Sequence, residues 1–110
     1  MDAVFIVQVE VPLGIRNGRM IFHQNNKKVY GELKILGNVE SFIGEIHEDG
    51  TVSIKGHLTS VIRSMPYCGT GSICNGQIRM QLDTERSSYQ LTGYECNYKE
   101  KGRKVNEKVL

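Results

Sequence analysis

Val39-Glu40-Ser41-Phe42-Ile43-Gly44-Glu45-Ile46-His47-Glu48-Asp49-Gly50-Thr51-Val52-Ser53-Ile54-Lys55-Gly56-His57-Leu58-Thr59 decides the fold. On its second half Val52, Ile54 and Leu58 share one parity with Gly56, while Thr51, Ser53, Lys55, His57 and Thr59 take the other. Phe42, Gly44 and Ile46 do the same on the first half. A period of two over several residues marks a strand with one buried face. Asp49-Gly50 between the runs is a tight-turn pair, so residues 39–61 read as a hairpin of strands Val39–Glu48 and Thr51–Val61.

Glycine interrupts this hairpin on its apolar side at Gly44 and Gly56, and Gly31 repeats the pattern in Val29-Gly31-Leu33-Ile35. A fourth, Gly93, interrupts the last strand. Glycine weakens a strand interior, so its recurrence implies either strong curvature of one sheet or room on its inner face.

Outward from the hairpin the alternation continues. Phe5, Val7, Val9 and Val11 oppose Gln8 and Glu10 in a first strand. Asn17-Gly18 reads as a hairpin turn into a second strand, Arg19 to Gln24. Val29 to Leu36 is a third, and Gln77 to Thr84 sets Ile78, Met80 and Leu82 against polar neighbours. Residues 62–76 are harder to place because Pro66 argues against a central strand, but residues 67–73 suit a short strand turning at Asn75-Gly76. Tyr89 to Tyr98 is the last strand; Tyr94, Cys96 and Tyr98 take the parity opposite to Leu91, which predicts a β-bulge at Gly93. Without a bulge, Glu95 shares the inward parity of Leu91.

No stretch shows helical periodicity over three turns. About eight sequential antiparallel strands with short turns predict an all-β, up-and-down meander closed into a small β-barrel. A β-sandwich is the alternative, and only residues 62–76 could supply its crossing connection.

At this point the chain resembles calycin-type small barrels, the lipocalin-like and avidin-like proteins. The likeness rests on Phe42-x-Gly44-x-Ile46, Asp49-Gly50-Thr51-Val52, Tyr67-x-Gly69-x-Gly71-x-Ile73 with Asn75-Gly76, and Tyr89-x-Leu91-x-Gly93. It implies a barrel that holds a small apolar ligand. The chain has no tryptophan, so neither the lipocalin Gly-x-Trp nor a tryptophan-lined biotin pocket carries over.

At 110 residues with 24% charged residues the chain is one domain over residues 1–98, with a basic tail over 99–110. That tail holds Lys99, Lys101, Arg103, Lys104 and Lys108 against Glu100 and Glu107. Basic groups in the body are scattered among acids, which disfavours nucleic acid as a partner. No apolar run approaches the ~20 residues of a spanning helix. The N-terminus reads as a strand and not a signal peptide, so the expected location is cytoplasmic. Cys68, Cys74 and Cys96 make an odd count; Cys68 and Cys74 could close a loop under oxidising conditions. His23, His47 and His57 share no metal-ligand spacing, and no nucleophile elbow is present. No metal or cofactor is expected.

These features point to a non-enzymatic binding protein with a small apolar ligand. The candidate cavity liners are Phe22, Leu33, Phe42, Ile54, Leu58, Met80 and Tyr94. Two other readings stand beside it. One is a regulator acting on a protein partner through its surface, or a homodimer through an edge strand. The other is an isomerase- or lyase-like enzyme using a buried carboxylate such as Glu95.

Overall fold

The computed structural model describes residues 2–12, 14–35, 37–59 and 63–96. The strands are β1 (Asp2–Val11), β2 (Gly14–Asn25), β3 (Lys28–Ile35), β4 (Asn38–Ile46), β5 (Thr51–Thr59), β6 (Ser64–Cys74), β7 (Gln77–Asp83) and β8 (Ser88–Glu95). Each pairs antiparallel with the next, and β1 pairs with β8 from Phe5↔Glu95 to Glu10↔Gln90, closing the barrel. Closure joins the first strand to the last, and unpaired strand stretches remain toward the barrel end where β2–β3, β4–β5 and β6–β7 pair over part of their length. The tail 99–110 lies outside the described residues.

Two local expectations are corrected, and the strand expected over residues 67–73 is longer, Ser64–Cys74. Asn17-Gly18 is no turn: both residues sit inside β2, paired with Gln8 and Val7. The β1–β2 connection instead lies between Val11 and Gly14, whose φ of 131° suits only glycine. Pro66 is accommodated in β6 because the β6–β7 ladder begins only at Cys68↔Asp83. At Pro66 the strand pairs on one side, with His57 of β5, so no amide is needed on the other. Finally, no bulge occurs at Gly93: the β1–β8 register runs unbroken through Val7↔Gly93 and Ile6↔Tyr94. Tyr94 consequently faces out, and Glu95 needs no rescue because it ends its strand in solvent.

The register explains the glycines. One inner row runs Ala3–Phe22–Gly31–Phe42–Gly56–Tyr67 across β1 to β6. The next runs Val29–Gly44–Ile54–Gly69–Leu82–Tyr89. Bulky residues alternate with Ala3 or glycine along the first row, and with glycine from Val29 to Leu82 along the second, as the tight interior of an eight-stranded barrel demands. At Gly31 and Gly44 an added Cβ would land on the backbone oxygens of Ile21 and Ser53. At Gly56 it would lie 2.8 Å from the Tyr67 hydroxyl oxygen. Curvature accounts for the first two, and room for a neighbour's ring accounts for the third.

The interior is filled. Phe5, Phe22, Phe42, Met20, Leu33, Ile54, Ile78, Leu82 and Leu91 are buried, with Phe22 between Phe5 (ring centroids 6.1 Å apart) and Phe42 (5.9 Å). Cys68 and Cys74 both face outward on β6. Six residues of strand separate their Cα atoms by ~20 Å, several times the reach of a disulfide.

The β4–β5 turn is held by Asp49, whose Oδ1 accepts from the Thr51 amide at 3.0 Å and from Thr51 Oγ1 at 2.7 Å. These donors hold its carboxyl below the usual aspartate range. A lowered folded-state value means the contribution is complete above the ordinary value of 3.8 and fades as pH falls through the folded value. Asp49→Ala should lower Tm at neutral pH, and the gap to wild type should close on acidification in a melting series.

Candidate functional site

One end of the barrel is built from the last residues of β1, β3, β5 and β7 and the first of β2, β4, β6 and β8. Here the filled interior gives way to an apolar pit of about 60 Å³ lined by Val9, Val11, Arg16, Ile35, Leu58, Met65 and Tyr89. Arg16 belongs to an inner row: Val52–Gly71–Met80–Leu91–Val9–Arg16. It takes the inward parity at the mouth, exposed to solvent beside otherwise apolar or tyrosine lining. Among the described residues the Arg16 side chain makes no ion pair and no hydrogen bond.

A polar cluster stands on the β4–β5 side of this end. The β4–β5 ladder stops at Phe42↔Gly56, although β3–β4 and β5–β6 continue to Ile35↔Asn38 and Thr59↔Ser64. Side chains bridge the seam where backbone pairing ends. Asn38 Nδ2 donates to the Thr59 carbonyl at 2.9 Å, and Thr59 Oγ1 donates to Glu40 Oε2 at 2.5 Å. Ser64 Oγ lies 3.2 Å from the same threonine hydroxyl.

Beneath the cluster Tyr67 is only 3% exposed, and among the described residues its hydroxyl has no hydrogen-bond partner. Burial pushes its pKa well above the ordinary tyrosine value, and the nearby Glu40 charge adds to the rise. The group is a neutral hydroxyl at any working pH.

The expected cavity liners divide three ways. Phe22, Leu33, Phe42, Ile54 and Met80 pack against one another in the core, with no more than 2% of each exposed. Leu58 lines the pit. Tyr94 stands on the outer wall, 56% exposed, beside Ile6. Glu95 is exposed at the end of β8 and does not supply the buried carboxylate an enzyme reading needs. The half-buried inner carboxylate is Glu40, which escaped notice because the alternation begins convincingly only at Phe42.

Arg16, Met65 and Tyr89 were also missed. Reading Asn17-Gly18 as a turn removed Arg16 from its strand; reading β2 through to Gly14 would have given it the parity of Met20 and Phe22.

The histidines do not converge. His23 Nδ1 lies 2.7 Å from Asp2 Oδ1 and its ring stacks on Tyr30, while His47 and His57 are exposed elsewhere. Among the described residues no three His, Cys, Asp or Glu side chains are grouped to hold a metal ion. The outer wall also carries a cross-strand pair of exposed apolar residues, Tyr30 and Ile43. No known protein family, curated protein or solved structure matches this chain.

Proposed function

We propose that the protein is a non-enzymatic binding protein that holds a small apolar group at the open end of its barrel. The observation that carries this reading is the pit bounded by Val9, Val11, Ile35, Leu58, Met65 and Tyr89. Apolar concavities that remain where the rest of a core is packed are the usual seats of small ligands. The resemblance to calycin-type barrels supports the same reading, with the ligand at the mouth and not at the centre.

A volume of about 60 Å³ suits a chain of roughly four carbons, since a cavity needs ~10–15 Å³ to hold one water. So few atoms cap the affinity at micromolar by the ceiling of ~1.5 kcal/mol per heavy atom, and the expected value is weaker than that ceiling. Titrating 1-butanol into ¹⁵N-labelled protein should move the amide signals of Val9, Ile35, Leu58 and Met65 together and saturably. Shifts that never saturate, or that scatter over the whole barrel, would remove the basis of the reading.

A further inference from the structure

We infer that the group held at the open end carries a negative charge, a short aliphatic carboxylate whose head lies on Arg16. This rests on the pit being a binding site. Every other described lining residue of the pit is apolar or a tyrosine, so Arg16 alone supplies charge at its wall. Arg16 is exposed at the rim, but it takes the inward parity of Val9, Met20 and Phe22 and lines the pit.

Its guanidinium has no acceptor among the described residues, although five donors in a planar fork match a carboxylate bidentately. Glu10, opposite Ile15, has the outward parity, and the inward carboxylate Glu40 of β4 accepts from Thr59 Oγ1. An anion entering the pit with its chain downward can set its head on Arg16, which shares a row with Val9 at the mouth. The same chemistry is offered by a free short-chain acid and by the C-terminal carboxylate of a peptide with an apolar last residue.

The test is a set of NMR titrations with matched chains: butanoate, 1-butanol, n-butylammonium and N-acetyl-leucine. Butanoate is expected to bind about tenfold tighter than butanol, as one charge-assisted pair in a partly wet site implies. Butylammonium is expected to bind worst. In Arg16→Gln, whose fold is checked by the same spectrum, butanoate should fall to the level of butanol while butanol is unchanged.

Preference for N-acetyl-leucine over butanoate assigns the peptide source, and the reverse assigns the free acid. Equal binding of butanoate and butanol, or tighter binding of butylammonium, overturns the charge assignment and leaves the pit standing. Failure of all four probes at the pit residues overturns both. Arg16→Lys gives a second variant: it keeps the charge but not the fork, and should retain only part of the preference.

Discussion

Gly44→Ala is expected to destabilise the barrel by about 3 kcal/mol or more, at the upper end of what overpacking costs. The added methyl would coincide with the Ser53 carbonyl oxygen and crowd the Cα of Ile54. Both belong to the paired strand, so relief requires parting the β4–β5 ladder at Gly44↔Ile54. Gly69→Ala is the internal comparison, on the same inner row. There the methyl would meet only side-chain carbons, Ile54 and Leu82 at 3.0 Å and Met80 at 3.4 Å. Such atoms yield by small rotations, and the expected cost is about 1 kcal/mol. Urea unfolding of the two variants checks this. Equal costs would mean that the glycines serve general flexibility and not the close approach of particular strands.

Phe22→Ala should cost about 3–5 kcal/mol, the range for truncating a fully buried aromatic residue. Phe22 is 0% exposed and forms the middle of the Phe5–Phe22–Phe42 ring contacts. Its row neighbours are Ala3 and Gly31, too small to close the void. Tyr94→Ala, on the outer wall, should stay within about 0.5 kcal/mol. Denaturant midpoints measured at unchanged slope decide the matter. A loss under 1 kcal/mol at Phe22 would mean a loose centre with room for a ligand, and the binding site would have to move from the mouth to the middle.

Much of the architecture was legible before any coordinates. Alternation at Phe5 to Val11, Phe42 to Leu58 and Ile78 to Leu82 selected the inward faces correctly, because in a half-buried strand parity alone assigns the face. Asp49-Gly50 and Asn75-Gly76 marked turns, and Gly50, Asn75 and Gly76 all have positive φ. Turn chemistry misled at Asn17-Gly18, where the glycine serves a close approach: its Cβ would strike the Lys34 carbonyl oxygen. The local signal for a turn and for a crowded inner row is the same residue. Only the pairing partner tells them apart.

The candidate site was less legible than the fold. Six of the seven expected liners do face inward, but facing inward does not say whether a side chain lines space or fills it. That depends on what stands beside it in the row, and the rows are set by a register that spans all eight strands. Phe22 is packed because Phe5 and Phe42 arrive from either side, although they lie 17 and 20 positions away in the chain.

Strand faces, most turns and the all-β meander were determined by the chain's own period of two and its turn residues, since these depend on neighbours a few positions apart. Closure of β1 on β8, the alternation of glycine with bulky residues around the wall, and the meeting of Arg16 with Leu58, Met65 and Tyr89 were decided by the tertiary structure. Those features join residues tens of positions apart, and no local pattern records which strands will lie side by side.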